Sequence, residues 1–292
     1  MTQDPNHIPF RKMNGLGNDF VVLDARPRPI AVDEDAARAL ADREHGVGCD
    51  QVIVIEPPHE AGAHAHMRIW NHDGGEVEAC GNATRCVADI LLSETGLEQV
   101  TVGSEGGPLV CARAGEGLIA ADIGPPKFDW QDIPLSEEFR DTRMVELQIG
   151  PIDAPVLHSP SVVNVGNPHC IFWVGDVEAH ELERFGPMLE NHPLFPERAN
   201  ISLAHVTSPS SLTLKVWERG VGLTRACGTA ACAAAVAAGR KKLTGRSVAV
   251  TLPGGILQID WRESDDHIIM TGPYELEYIA KLDGALFDEE PV

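Results

Sequence analysis

The segment from Ala230 to Ala238 has no polar face, and it restricts the fold more than any other part of the chain. It reads AACAAAVAA. Alanine is the best helix former, and a helix that is apolar on every side is a buried helix. The run is too short to cross a membrane. The sequence therefore predicts a buried helix of small residues, closely surrounded by strands and ended by Gly239 with the basic residues after it.

The start of this helix has a second copy earlier in the chain. Cys227 and Cys80 each lie in an Ala-Cys-Gly triplet, and a tryptophan precedes each cysteine by ten residues, at Trp217 and Trp70. The offset from position 80 to position 227 is 147, about half of the 292 residues. Chance similarity between two alanine-rich helix starts is the alternative. The agreement of spacing and offset favours two similar halves, each with a cysteine at a helix N-terminus.

Composition limits the class of protein. A length of 292 residues predicts about two domains, and 43% hydrophobic with 23% charged residues is typical of globular proteins. The net charge of −21 disfavours nucleic acid and anionic membranes as partners, since both need a basic surface. MTQDPNHIPFRKM at the N-terminus lacks the apolar region of a secretory signal. We therefore expect a cytoplasmic location and reduced cysteines.

Periodicity predicts many short strands and few helices, which is a mixed α+β architecture. Residues up to about Pro9 are expected to form a loose extension. The segment that starts at Gly124 and ends at Glu138 is rich in proline and aspartate and is predicted to be an interdomain linker. Helices are expected over residues 31–43, 80–92, 177–189 and 230–238. The predicted strands are 21–24, 52–56, 66–71, 99–102, 108–113, 118–123, 145–149, 162–165, 170–174, 200–206, 212–218, 248–252, 256–261 and 268–271.

The duplicated cysteines suggest a specific kind of chemistry. Two thiols on opposite faces of one carbon can invert it, because one thiolate removes a proton and the other thiol returns one. The helix N-termini behind Cys80 and Cys227 offer backbone N–H groups that bind a carboxylate and stabilise a developing carbanion. Gly81 and Gly228 allow the backbone to approach a ligand closely.

Motifs along nearly the whole chain identify a family. In order they are Gly17-Asn18-Asp19-Phe20, Asp50-Gln51, Ala79-Cys80-Gly81-Asn82 with Arg85-Cys86, Gly166-Asn167-Pro168-His169, Asn200, Glu218-Arg219-Gly220, and Ala226-Cys227-Gly228-Thr229 with Ala231-Cys232. With this set the chain strongly resembles the diaminopimelate epimerases. Two positions depart from the pattern of many members: Ala83 stands where glycine is common, and Asn14 where histidine is common.

The resemblance implies a fold, a reaction and a set of site residues. The fold has two pseudo-symmetric domains, each with mostly antiparallel strands around a central buried helix, and the active site in the cleft between them. The halves are expected at 8–127 and 128–271, with a terminal strand at 272–282 that returns to the first half. The reaction is the interconversion of LL- and meso-diaminopimelate for lysine and peptidoglycan synthesis, without pyridoxal phosphate or metal. Cys80 and Cys227 are then the acid/base pair, His169 and Glu218 modulate the thiols, and the substrate is bound by Asn18, Gln51, Asn71, Gly81, Asn82, Asn167, Asn200, Glu218, Arg219, Gly228 and Thr229.

Three other functions remain open from the residues alone. A proline racemase or hydroxyproline epimerase of the same fold would keep the mechanism, but Arg219 and the asparagines favour a longer, doubly charged amino acid. A Cys–His acyl-transfer hydrolase using His169 would leave the second cysteine unexplained. A non-catalytic binding protein would need neither thiol. The expected partner is a small-molecule substrate, and a homodimer is compatible with the sequence.

The remaining cysteines and histidines have simpler interpretations. Cys49, Cys86, Cys111, Cys170 and Cys232 are expected to be small buried residues. His59, His64, His66 and His72 match no zinc-ligand spacing, so no metal is predicted. Oxidation that links Cys80 to Cys227 would inactivate a two-thiol enzyme, provided that the two residues meet disulfide geometry.

Overall fold

A computed structural model describes residues 7–78 and 80–284 of the chain. These residues form two compact units. The first unit contains the described residues up to Ala121 together with those from Gly272 onward, and the second unit runs from Asp122 to Thr271.

The first unit alternates strands with two helices, and it also includes the C-terminal strand Glu275–Asp283, which pairs with the first strand of the chain. Its elements are β1 (His7–Gly15), β2 (Asn18–Asp24), α1 (Glu34–Ala41), β3 (Gln51–Glu56), β4 (Ala65–Asn71), β5 (Glu76–Val77), α2 (Gly81–Thr95), β6 (Gln99–Gly103), β7 (Leu109–Gly115) and β8 (Leu118–Asp122). The remaining elements are β9 (Gln148–Ile149), β10 (Leu157–His158), β11 (Ser161–Asn164), β12 (Pro168–Trp173), a 3₁₀ helix (Val177–Ala179), α3 (Leu182–Glu190), β13 (Asn200–Ser208), β14 (Ser211–Glu218), β15 (Gly222–Thr224), α4 (Gly228–Arg240), β16 (Ser247–Leu252), β17 (Gly255–Trp261), β18 (Ile268–Pro273) and β19 (Glu275–Asp283).

The two units repeat the same order of strand pairings. In the first, β1–β2 is antiparallel, β2–β3 parallel, β3–β4 antiparallel, β4–β6 parallel and β6–β7 antiparallel. In the second, β11–β12, β12–β13, β13–β14, β14–β16 and β16–β17 follow with the same directions. Phe20 pairs with Gln51 as His169 pairs with Asn200. The similarity of the halves is therefore structural, and the predicted α+β class is confirmed.

A helix surrounded by strands lies at the centre of each unit. Every residue from Ala230 to Ala238 in α4 is at most 3% exposed, and the helix contacts β11 to β14, β16 and β17. Helix α2 contacts β1, β6 and β7 and buries Cys86, Val87 and Ala88 completely. The predicted end of α4 was wrong: Gly239 lies inside the helix, which runs to Arg240. The backbone enters the left-handed region two residues later, at Lys242.

The predicted loose extension was also wrong where the structure describes it. Residues from His7 onward belong to β1, which pairs with β2 and with β19. Ile8 and Phe10 are only 4% exposed and join the core beside α1. The partner β19 lies about 270 residues away in the sequence, so local periodicity does not reveal it.

The linker prediction fails for a similar reason. Ile133 and Leu135 are buried in the core of the second unit, so this proline-rich segment is part of that core. The predicted helix over 177–189 is split into a 3₁₀ turn, which Asp176 caps by accepting the Glu178 N–H, and α3. The predicted strand 145–149 is shorter than expected, at Gln148–Ile149. In the described part of the chain no helix is both long and apolar enough to span a bilayer.

Helix α3 packs directly on the Trp217 ring at Gly186, and this close contact predicts how a substitution there affects stability. An added Cβ would lie 2.4–2.7 Å from three atoms of that ring. Gly186→Ala is expected to lower the free energy of unfolding by about 1–3 kcal/mol, because helix and strand must move apart. Urea denaturation measures it. Gly175→Ala is the control, since an added Cβ there meets nothing within 4 Å; equal effects of the two variants would contradict the packing argument.

Candidate active site

Each cysteine of the repeated motif caps the central helix of its unit. Cys80 has extended backbone angles at the N-cap of α2, and its Sγ accepts the Ala83 N–H at 3.5 Å. Cys227 is the N-cap of α4 with a similar backbone, φ −135°. The first N–H groups of each helix lack intrahelical acceptors, so each cysteine stands where negative charge is stabilised.

Beside Cys80, a directional chain of hydrogen bonds fixes two of the predicted substrate-binding amides. Arg85, 0% exposed, donates from Nη2 to Asn82 Oδ1 at 2.8 Å. Asn82 Nδ2 donates to Asn18 Oδ1 at 2.8 Å, and Asn18 Nδ2 donates to Asp50 Oδ2 at 3.4 Å. A guanidinium only donates and a carboxylate only accepts. The two ends therefore set the orientation of both amides, and among the described residues one N–H of each amide has no acceptor and can serve a ligand.

The other predicted residues of the first unit form a pair on neighbouring strands. Gln51 at the start of β3 donates from Nε2 to Asn71 Oδ1, at the end of β4, at 2.9 Å. The Gln51 Oε1 atom is buried and has no hydrogen-bond partner among the described residues. A buried acceptor without a partner is costly, so it is suited to a ligand donor such as an ammonium group.

In the second unit, Cys227 is almost completely buried, with 6% exposure. Burial raises the pKa of its thiol well above the ordinary value, and the adjacent Glu218 carboxylate raises it further by charge and by accepting a hydrogen bond from the thiol. Thr229 Oγ1 lies 3.5 Å from Sγ and opposes this shift. Cys227 is therefore a protonated thiol at neutral pH in this structure and can serve as a proton donor.

The carboxyl group of Glu218 accepts hydrogen bonds from one hydroxyl group and one thiol. Burial raises its pKa, while hydrogen bonds from Thr224 and Cys227 oppose the increase. Thr224 lies on β15 and donates to Glu218 Oε1. Glu218 and Cys227 thus form a hydrogen-bonded pair of acidic groups, each with a raised pKa.

His169 is fully buried on β12 and hydrogen-bonds through Nε2 to Asn167 Oδ1 at 2.7 Å. Burial, assisted by the charge of Arg219, lowers its pKa to about 3. The imidazole is therefore neutral at physiological pH. Its Nδ1 atom has no hydrogen-bond partner within the described residues.

The low pKa of His169 predicts a loss of stability in acid. The unfolded chain binds the proton near pH 6.5 but the folded chain only near pH 3, so stability is full above 6.5 and falls as the pH drops through this window. The contribution is roughly 1.4 kcal/mol per pH unit. Urea denaturation at pH 7 and pH 5 should show a smaller decrease for His169→Gln than for the wild type. The same decrease in both proteins would exclude His169 as the cause.

Asn200 and Arg219 meet at the end of β14. Asn200, 3% exposed, accepts the Arg219 N–H at 2.9 Å and donates to Pro168 O at 3.0 Å. The Arg219 guanidinium donates from Nη1 to Glu197 O at 3.1 Å. Within the described residues the guanidinium makes this one hydrogen bond, and its other N–H groups suit bidentate binding of a carboxylate.

Two glycines bring backbones close at these sites. A Cβ on Gly228 would lie 2.7 Å from Met270 Sδ, and a Cβ on Gly15 would lie 2.9 Å from Asn82 O. A side chain at position 15 would collide with the backbone of the first turn of α2, whereas one at position 228 would require the Met270 side chain to move.

The predicted site residues thus fall into two groups, one in each unit. The first unit joins Asn18 with Asn82 at the start of α2, and Gln51 with Asn71 on the neighbouring strands β3 and β4. The second joins Cys227 with Glu218 and Thr229, and Asn200 with Arg219. The structure adds three residues that the sequence prediction did not place in the site, although Asp50 and Arg85 stood in its motifs: Asp50, Arg85 and Thr224. An arginine inside the apolar helix α2 was the available signal for Arg85. Within the described residues no group of three or more His, Cys, Asp or Glu side chains is arranged to hold a metal.

The family model "Diaminopimelate epimerase" matches residues 10–128 and 161–277. The diaminopimelate epimerase of Nitrobacter hamburgensis is 57% identical over 283 residues, which cover 97% of both chains. That of Brucella anthropi is 57% identical over 94% of this chain and 92% of its own length. A solved hydroxyproline epimerase from Agrobacterium vitis has a TM-score of 0.65 at 13% identity, and the match covers 97% of this chain and 94% of that one. The last comparison shows the shared fold alone. With these matches over nearly its full length, the chain belongs to the diaminopimelate epimerase family.

Proposed function

We propose that this chain is an isomerase that interconverts LL- and meso-diaminopimelate by a two-base mechanism, with Cys80 and Cys227 as acid and base. The observation that carries the proposal is the placement of the two cysteines. Each caps the buried central helix of one structural repeat, beside polar groups suited to an amino acid. One thiolate removes the α-proton and the opposite thiol delivers a proton to the other face, so that the carbon is inverted and the proton count is unchanged.

The raised pKa of Cys227 supports one choice of starting roles. Cys227, whose pKa is raised by burial and by Glu218, begins as the thiol that gives a proton. Cys80 is then the base in this scheme, at a helix N-terminus where negative charge is favoured. After one turnover the roles are exchanged. Proton return through the reverse reaction or through solvent restores the starting form.

The polar groups around the cysteines favour a substrate with charges at both ends. The N–H groups at the helix starts are suited to the α-carboxylate, and the buried Gln51 Oε1 to an ammonium group. Arg219 has a fixed guanidinium for a second carboxylate. Proline and hydroxyproline have no such second carboxylate, so they would leave Arg219 without a ligand partner.

The test is α-proton exchange in D₂O under reducing conditions. LL-diaminopimelate, meso-diaminopimelate, L-proline and trans-4-hydroxy-L-proline are incubated separately with the protein, and deuterium incorporation is followed by NMR with chiral separation of the products. We expect deuterium at the α-carbon with inversion for both diaminopimelate isomers only.

Each other outcome corresponds to an alternative. Exchange with proline or hydroxyproline instead would keep the two-base chemistry and replace the substrate. Turnover of an ester or amide without α-exchange would support the Cys–His hydrolase. Binding of diaminopimelate with no reaction would indicate a binding protein.

The cytoplasmic location, the homodimer and the domain limits 8–127 and 128–271 stay predictions. Both proposed catalytic thiols belong to one chain, so the chemistry itself does not require a second copy.

A further inference from the structure

Glu190 is a buried carboxylate for which the proposed reaction has no direct use. It is the last residue of α3 and is 5% exposed. Three groups donate to it: Gly220 N to Oε1 at 2.9 Å, Arg198 Nη1 to Oε1 at 3.2 Å, and Trp217 Nε1 to Oε2 at 2.8 Å. A buried charge with three donors is strongly held, and its loss would leave those donors without an acceptor.

Two of the three donors flank the Glu218–Arg219 pair in the sequence. Trp217 comes directly before the pair and Gly220 directly after it. Gly220 has a positive φ of 77°, so the chain turns sharply at this residue. By holding the positions before and after, Glu190 fixes the backbone from which both side chains extend.

Glu190 also fixes the group that orients the Arg219 guanidinium. That group is the carbonyl of Glu197, the residue before Arg198. Arg198 has a φ of 61°, a left-handed conformation that is unfavourable for a residue with a side chain. Its ion pair with Glu190 holds the turn in this conformation. One carboxylate therefore connects the backbone of Arg219 with the acceptor of its side chain.

We propose that Glu190 is a positioning residue that sets the place of Arg219, and through it the preference for a substrate with a second carboxylate. This inference rests on the proposed function, because Arg219 is assigned there to the distal carboxylate. Glu190 itself does not contact the substrate. It acts by keeping the guanidinium in one geometry, so that substrate binding does not have to order it.

A carboxylate is required at this position because all its neighbours are donors. In Glu190→Gln one oxygen becomes an NH₂ group, which must face either the indole N–H of Trp217 or the donors at Oε1. Trp217→Phe removes the indole N–H and leaves space for that NH₂ group. The double variant Glu190→Gln/Trp217→Phe can then keep Oε1 for Gly220 and Arg198.

The experiment measures KM and kcat for LL-diaminopimelate in the wild type, the two single variants and the double variant, together with the substrate Kd by calorimetry. We expect Glu190→Gln to raise KM and Kd by about tenfold, with kcat changed by less than about threefold. When Trp217→Phe is already present, adding Glu190→Gln should raise KM and Kd much less. The double variant should therefore bind the substrate nearly as tightly as Trp217→Phe alone. Glu181→Gln, on the exposed other end of α3 beside Arg184, should behave as wild type.

The inference is overturned if Glu190→Gln leaves KM and Kd unchanged, or if the double variant shows no recovery. Thermal denaturation of each variant distinguishes a loss of folded protein from weaker substrate binding. A loss of folded protein lowers the active fraction and leaves KM unaltered. An inactive wild-type protein that still binds diaminopimelate would refute the proposed reaction but leave the Kd comparison valid. A wild type that does not bind diaminopimelate would refute the assignment of the substrate, and with it this inference.

Discussion

Replacing Cys80 or Cys227 by serine is expected to lower kcat for diaminopimelate epimerisation by at least about 10³-fold. Serine keeps the size of the side chain, but its hydroxyl is far too weak an acid to provide the base. Each turnover needs both groups, so either single variant should be as defective as the double variant. Epimerisation followed by chiral chromatography under reducing conditions gives the rates, and substrate binding by calorimetry shows that the variants still fold and bind.

Cys111→Ala is the matched control for thiol loss. Cys111 is fully buried on β7 and belongs to neither Ala-Cys-Gly motif, so its replacement should affect stability and leave kcat near the wild-type value. Normal turnover in Cys80→Ser or in Cys227→Ser would refute the two-base mechanism. Loss of turnover in only one of them would instead support a hydrolase-like mechanism with a single nucleophile.

The second large effect concerns the stability of the first unit. Arg85 is 0% exposed in α2 and donates to Asn82 Oδ1, to Gly81 O at 3.2 Å and to Pro273 O at 3.2 Å. Arg85→Ala removes these donors and leaves a cavity around unsatisfied acceptors. We expect the free energy of unfolding to fall by about 3–5 kcal/mol. Urea denaturation measures the loss.

Arg113→Ala is the comparison for this prediction. Arg113 is also an arginine of the first unit with an acidic partner, Asp89 at 3.0 Å, but its side chain is 43% exposed. Its replacement should cost less than about 1 kcal/mol. Equal stability of Arg85→Ala and Arg113→Ala would contradict the prediction that the buried Arg85 guanidinium stabilises the first unit. The intermediate variant Arg85→Lys should fall between them, because an ammonium group cannot reach all three acceptors at once.

The local features of the sequence were sufficient for the parts of the fold that repeat or alternate. The alanine run identified α4, and the strands β3, β4, β13 and β14 follow apolar runs of strand length. The errors lie where the partner is distant. His7 to Gly15 forms a strand because β19 pairs with it, and Ile133 is buried because the core of the second unit covers it. Neither contact has a signature in a window of neighbouring residues.

The sequence by itself determined the two cysteines, their helix starts and the family, since these depend on residue identity and on spacing within one motif. Only the tertiary structure shows how the surrounding groups act on the site residues. Glu218 raises the pKa of Cys227 because β14 and α4 meet there, and Glu190 accepts the Gly220 N–H, next to Arg219, because α3 packs on the end of β14. Charge, burial and hydrogen-bond direction depend on what surrounds a residue in space. The reactive groups can therefore be identified from a motif, whereas their protonation and orientation follow only from the folded chain.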